Sequence, residues 1–224
     1  MSALSRFSHG LEYSVNNGKA TVCGIGSFNE KDLVIPPVTP EGFEIIAIAD
    51  KAFFRNSTIE SISVPESLKA VGKAAFAWCS SLKAVKLGLL ISIGDRAFMG
   101  CDRLSNVDFG SKLCSIGEKA FAYCPSLISV ALPATVQRLG ISAFEGCRAL
   151  RRVILPLSLK MLENGVFYAC GSLCRVDMPQ KLEYIDEYAF AYCTSISELD
   201  LPAHTVINGL AFYECGNNRS IKVS

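Results

Sequence analysis

Ala120-Phe121-Ala122-Tyr123-Cys124-Pro125-Ser126-Leu127-Ile128-Ser129-Val130-Ala131-Leu132-Pro133 returns, with small changes, along most of the 224-residue chain. Its phenylalanine is the anchor. The equivalents are Phe53, Phe76, Phe98, Phe121, Phe144, Phe167, Phe190 and Phe212, separated by 23, 22, 23, 23, 23, 23 and 22 residues. Three residues after each anchor except the first stands a cysteine (Cys79, Cys101, Cys124, Cys147, Cys170, Cys193, Cys215), and the first coil has Asn56 there. Three further on comes an apolar residue, from Ile59 to Ile196, and then a V-x-L doublet such as Val130/Leu132, usually closed by proline. Five residues before each anchor lies another apolar position: Ile48, Val71, Ile93, Ile116, Leu139, Leu162, Ile185 and Ile207.

A period of 22–23 residues centred on L-x-x-V-x-L reads as a leucine-rich-repeat solenoid, in which no coil can bury its apolar face alone. The doublets predict nine short parallel strands, from Leu33/Ile35 to Ile221/Val223. Proline at 36, 65, 133, 156, 179 and 202 ends a strand where a missing N–H is tolerated. Segments such as Gly117-Glu118-Lys119-Ala120-Phe121 begin with a small or acidic residue and continue with helix formers, which predicts one short helical turn opposite each strand. Leu11–Val15, the turn Asn16-Asn17-Gly18 and Ala20–Ile25 predict an N-terminal β-hairpin cap over the open end of the stack. Residues 37–43 form a small bulged loop in this reading. The expected architecture is a mostly β solenoid with residues 1–32 as the cap and 33–224 as about eight coils, a single domain.

Composition sets the other bounds. With 22 Lys plus Arg against 21 Asp plus Glu, no bulk field favours nucleic acid or an anionic membrane. No apolar run approaches the ~18 residues needed for a membrane span, and the first residues show no secretory h-region. The ten cysteines would suggest disulfides in a secreted chain, but an odd ladder of seven at one repeat position cannot pair completely. The ladder reads instead as buried free thiols, whose neighbouring Cβ atoms point in parallel. The two histidines, His9 and His204, have no nucleophile or ligand at motif spacing, and Gly24-Ile25-Gly26 ends a strand rather than opening a helix. Catalytic residues, metal sites and cofactors are therefore not expected. Trp78, Tyr123 and Tyr192 alternate with Gly100, Gly146 and Ala169, as large-small packing between coils would require, with an aromatic contact surface as the alternative.

The coil Ala120 to Gly140 matches A-F-x-x-C-x-x-L-x-x-V-x-L-P-x-x-L-x-x-I-G almost completely, and Gly10 to Val22 matches a G-L-x-Y-x-V-x-x-G-x-A-x-V hairpin. These residues resemble the BspA-type leucine-rich repeats of bacterial and protozoal surface or secreted proteins. The resemblance implies adhesion or ligand binding at a cell surface, with a protein or peptide ligand, including a host component, as partner. The reduced thiol ladder is also compatible with a cytoplasmic location, so the compartment stays open. One departure from the general repeat is that Leu90, Leu113, Val136, Leu159 and Leu182 replace the usual asparagine position, so no asparagine ladder is expected.

Strand alternation puts Ser129, Arg152, Arg175 and Glu198 in one outward row, and Ala131, Ile154, Asp177 and Asp200 in the other. Arg152 beside Arg175 and Asp177 beside Asp200 place like charges in register, which stacking alone disfavours. This concave patch is the candidate ligand-binding surface. Its packing alternative is a self-screening ion network. For the whole chain the alternative is an intracellular scaffold, or a structural module self-associating as a homodimer through its C-terminal strand edge.

Overall fold

The computed structural model describes residues 7–216 and the strand Ile221–Val223. Each coil contributes to three faces. On the first lie the doublet strands, nine as expected: Asp32–Val34, Ser61–Ser63, Ala84–Lys86, Asn106–Asp108, Ser129–Ala131, Arg152–Ile154, Arg175–Asp177, Leu199–Leu201 and Ile221–Val223. Neighbours pair in parallel with no register shift, doublet on doublet, as in Val130 to Val153 to Val176. The row is not one sheet but ladders of four, three and two strands. The first interruption falls after the coil that carries Phe109 where the others carry an aliphatic residue or Met. That ring is buried edge-on against Phe121, 5.5 Å between centroids at 72°, so its extra volume is housed at the junction.

A second sheet is only half visible in the sequence. The apolar residues five before each anchor are strand residues: Ala70–Val71, Ser92–Ile93, Ser115–Ile116 and Arg138–Leu139 pair in parallel behind Glu44–Ile48. This sheet begins with the expected hairpin, Glu12–Asn16 against Lys19–Gly24, and the second hairpin strand pairs in parallel with Glu44–Ile48. The predicted loop over 37–43 closes with Thr39 N–H donating to the Phe43 carbonyl at 2.8 Å. Glycine follows each of the two-residue strands (Gly72, Gly94, Gly117, Gly140), and a Cβ added at any of them would meet the backbone of the preceding coil at 2.5–2.8 Å. In the next coil the position is Glu163, and there the ladder stops; a separate sheet of Met161–Leu162, Tyr184–Ile185 and Val206–Ile207 takes over.

The third face corrects the expected helical turns. Among the described residues no α-helix forms; each segment is a run of turns. The residues two before and two after most anchors are left-handed, as at Ala74 (φ 52°) and Trp78 (φ 63°) or Lys119 (φ 53°) and Tyr123 (φ 58°). That alternation aims every second N–H at the next coil. Ala74, Phe76 and Trp78 donate to the carbonyls of Asp95, Ala97 and Met99 at 2.7–2.8 Å. A helix would direct the same groups along its own axis and leave the coils unjoined on this side. Good helix propensity in five residues cannot compete, because a single helical turn has no favourable nucleus.

Between the three faces the anchors form one column. Successive rings from Phe53 to Phe212 stack with centroids 4.9–5.8 Å apart and interplanar angles of 20° or less. Beside them runs the thiol ladder, and all seven cysteines are free and buried. Six thiols donate to the carbonyl of the preceding anchor, such as Cys79 Sγ to Phe53 O at 3.2 Å and Cys124 Sγ to Phe98 O at 3.3 Å. The carbonyls of Phe53, Phe76, Phe144 and Phe167 also accept an N–H from their own turn, so there the thiol occupies the second lone pair. In the first coil the Asn56 side chain accepts from the N–H of Thr58 and Ile59 instead. The missing asparagine ladder has a substitute too. Hydroxyls of Ser67, Thr135, Ser158 and Thr205 donate to the carbonyls of Ile45, Leu113, Val136 and Leu182 at 2.7–3.0 Å.

Burial pushes the ladder thiols up, Cys147 to about 12, which removes the thiolate that reacts with disulfides. Cys23 and Cys174 are exposed and Cys114 is intermediate. An Ellman titration of the native protein should therefore count two fast thiols and one slower one, and all ten only in denaturant. Cys124→Ser should cost about 1–3 kcal/mol in urea unfolding, since the shorter C–O bond draws the donor away from the carbonyl and leaves a void. Prompt reaction of more than three thiols in the folded protein, or an unchanged midpoint for the serine variant, would contradict this role.

Candidate functional site

The patch anticipated on the first face is outward-facing throughout. Ser129, Ala131, Arg152, Arg175, Glu198 and Asp200 are exposed, Asp177 is partly covered, and Ile154 keeps 37% of its surface in water. Pairing brings Ser129, Arg152 and Arg175 into one row, and Ala131, Ile154 and Asp177 into the other. The like-charged arginines share one carboxylate. Arg152 Nη2 lies 2.7 Å from Asp177 Oδ2, and Arg175 Nε lies 3.0 Å from Asp177 Oδ1. The hydrogen bond from Arg152, with a further one from Arg175, holds the Asp177 carboxyl below the usual carboxylate range. The bridge therefore turns a repulsive pair into two oriented guanidinium groups, each still about half exposed.

Glu198 and Asp200 are not brought into that array. The expected juxtaposition of Asp177 with Asp200 does not occur as ladder pairing, because the sheet ends at Arg175–Asp177 and Leu199–Leu201 belongs to the next ladder. At the interruption lies a cleft of about 500 Å³ lined by Arg175, Asp177, Gln180, Glu198 and Asp200 among others. The surface thus combines a flat apolar pair, Ala131 and Ile154, with fixed arginines and a polar cleft at one end. Such a surface offers a ligand both apolar contact and charged hydrogen-bonding groups. Among the described residues no group of three or more His, Cys, Asp or Glu could hold a metal ion. Among the same residues no helix is long and apolar enough to cross a membrane. The last strand, Ile221–Val223, has one ladder partner, and its flanking residues Ser220 and Ser224 lie outside the described residues.

The turn face carries a second concentration of side chains that the sequence discloses only in part. Trp78 and Tyr123 do lie over the glycines of the following coil: a Cβ at Gly100 would meet the indole at 2.3 Å, and one at Gly146 the Tyr123 ring at 2.7 Å. Large-small packing is therefore real. Further along, however, Tyr192 is joined by Tyr168, Tyr188 and Tyr213, and the four together occupy three different repeat positions. Tyr168 meets Tyr192 at 5.4 Å and Tyr188 at 6.5 Å, and Tyr192 meets Tyr213 at 5.6 Å, all edge to face. No single column of the repeat flags them. The available signal is compositional, since five of the seven tyrosines fall between Tyr123 and Tyr213 on turn segments.

Comparison with known proteins agrees with this geometry. The model of the BspA-type leucine-rich-repeat region matches residues 46–138 and 114–224, in six copies. No curated protein matches the chain. Among solved structures, a leucine-rich-repeat protein of T. pallidum superposes with a TM-score of 0.78 at 27% identity, over 88% of this chain and 90% of that one. A leucine-rich-repeat protein from Bacteroides ovatus shares the fold, with a TM-score of 0.71 at 24% identity, over 92% of this chain and 67% of that one. The match spans the repeats on which the anchor, thiol and doublet columns are built, and the chain belongs to the BspA-type leucine-rich-repeat family.

Proposed function

We propose that the chain is a non-catalytic binding module that holds a protein or peptide on the first sheet face, from Ser129 to Asp200, the concave face of the sequence reading. The observation that carries this is the shared carboxylate: Asp177 fixes Arg152 and Arg175 beside the exposed Ile154. Arginines held in place before binding lose less side-chain freedom on docking, and arginine is among the residues most often found at energetic hot spots. An apolar centre within a charged rim is the usual anatomy of a protein-binding surface. The partner this fits carries an aliphatic or aromatic residue flanked by carboxylates. A host component is the partner class that family membership suggests, with adhesion as the role.

Selection of a random peptide display library on the parent protein tests the reading, with the Arg152→Ala/Arg175→Ala variant as the counter-screen. Enriched peptides should carry acidic residues next to an apolar one and lose roughly thirtyfold in affinity on the double variant, about 2 kcal/mol. Lys86→Ala should leave them bound. Because exposed ion pairs contribute about 1 kcal/mol or less, the double variant should melt within a few degrees of the parent. Peptides that bind parent and double variant equally would overturn the assignment.

A further inference from the structure

We infer that the tyrosine cleft on the turn face is a second binding site, one that takes the arginine side chain of a peptide. It lies on a different face of the coils from the patch above and stands independently of it. The cleft encloses about 620 Å³ between Tyr168, Tyr188, Tyr192 and Tyr213, with Glu145 and Asn164 on its walls. That is within the usual range for a small-ligand site of roughly 300–1,000 Å³.

Three observations point to a cation. First, the tyrosine rings meet at 77–83°, so faces and edges form the sides of an open box rather than a flat stack. Ring faces attract a cation through their quadrupole. Second, the only charged residue on the lining is the carboxylate of Glu145, and no basic residue lines the cleft among the described residues. Glu145 accepts the Tyr123 hydroxyl on Oε1 and its Oε2 lies 3.7 Å from Lys119, so it is oriented and an arriving guanidinium would share Oε2 with that ammonium. Its hydrogen bond, with burial adding to it, pushes the Tyr123 hydroxyl up to about 12, which keeps that phenol a neutral donor. Third, the hydroxyls of Tyr168, Tyr188, Tyr192 and Tyr213 have no hydrogen-bond partner among the described residues. They are acceptors open to a ligand.

The backbone under these rings follows the turn pattern of the other coils. Tyr188 and Tyr192 adopt φ of 56° and 59°, a region that bulky side chains rarely enter. Equivalent positions use Gly165 in one coil and Gly146 in another, so the conformation does not itself call for an aromatic residue. Among cations, the guanidinium fits best. It is planar, stacks on aromatic faces, and spreads five donors that phenolic oxygens, the Asn164 side-chain carbonyl and Glu145 can accept. An ammonium would use the charge but not the plane, and an uncharged sugar would use the rings but not the carboxylate.

Nuclear magnetic resonance of protein labelled in its tyrosine rings tests this with a capped pentapeptide of glycines around one central arginine. The probe should shift the ring signals of Tyr168, Tyr188, Tyr192 and Tyr213 and leave Tyr13 in place. The same peptide with citrulline, which keeps the shape and loses the charge, should bind at least about tenfold more weakly. Glu145→Gln should weaken the arginine peptide about fivefold with an unchanged melting curve, and Tyr192→Phe should weaken it less; Arg152→Ala should have no effect. Equal binding of arginine and citrulline peptides would overturn the proposal. So would ring shifts with a maltohexaose probe but none with the arginine peptide up to roughly 10 mM.

Discussion

Phe121→Ala should be among the most damaging single truncations in the chain, lowering stability by about 3–5 kcal/mol in urea unfolding. The ring is fully buried and sits between Phe98 at 5.2 Å and Phe144 at 5.4 Å, with the edge of Phe109 at 5.5 Å. Its removal opens a cavity bounded by rings that are themselves stacked onward, so collapse onto the void would require the neighbouring coils to shift. Beyond the transfer cost of the ring, every ring pair it forms with a neighbour is worth a further 0.5–1.5 kcal/mol or about that. In a solenoid the stability is a sum of coil terms and nearest-neighbour terms, and a central anchor enters two of the latter. Phe212, only partly buried and stacked on Phe190 alone, enters one. The expected order is therefore Phe121→Ala well below Phe212→Ala, with Phe121→Leu between parent and Phe121→Ala. Thiol exposure gives an independent readout, because Cys124 and Cys147 become reactive if coils open around residue 121. A loss below about 1.5 kcal/mol, or equal losses at 121 and 212, would show that the column is not the cooperative core.

How much of this is legible in the sequence follows from what each column of the repeat encodes. Phe, Cys and V-x-L recur because they face inward in every coil, and periodicity reports inward positions well. The anchor stack, the reduced thiols and the nine doublet strands are all readable for that reason. The turn face misleads because Gly117-Glu118-Lys119-Ala120 has the local preference of a helix start, while its conformation is set by carbonyls one coil away. The second sheet is hidden because a two-residue strand shows no alternation; only Ile116 of Ser115–Ile116 is buried. On the first face, alternation places Arg152 and Arg175 correctly, but the interruption before Leu199–Leu201 leaves no mark in the spacing, which stays at 23 from Val176 to Leu199. Outward residues are free to differ from coil to coil. A site assembled from several columns, as the tyrosine cleft is, therefore has no period to reveal it.

Gly117→Ala tests the other element that holds the coils together, their close backbone approach along the second sheet. A methyl group there would lie 2.6 Å from the Asp95 nitrogen and 2.7 Å from the Gly94 carbonyl carbon, closer than real Cβ atoms come. Those atoms are main chain and cannot swing aside as a side chain would. The φ of Gly117 is not in the left-handed region, so the penalty is one of space alone. To admit the methyl group the coil must lift from its predecessor, stretching the 2.8 Å bond from Gly117 N–H to the Ile93 carbonyl and the 2.9 Å bond from Glu118 N–H to the Asp95 carboxylate. Overpacking at about 1–3 kcal/mol and two weakened hydrogen bonds at about 1 kcal/mol each give an expected loss of roughly 3–5 kcal/mol. In the natural chain the glycine column ends at Glu163 and the ladder is absent between Arg138–Leu139 and Met161–Leu162, while the strands followed by Asp186 and Asn208 pair in a sheet of their own. Gly209→Ala is the matched control: nothing lies within 4 Å of its Cβ position and its φ is ordinary, so the change should be neutral or stabilise by up to about 1 kcal/mol. Amide exchange should accelerate at Gly117 and Glu118 in the first variant and at neither in the second. If Gly117→Ala unfolds at the parent's urea midpoint, the coils are held apart by their side chains, and the close backbone approach contributes nothing to the stack.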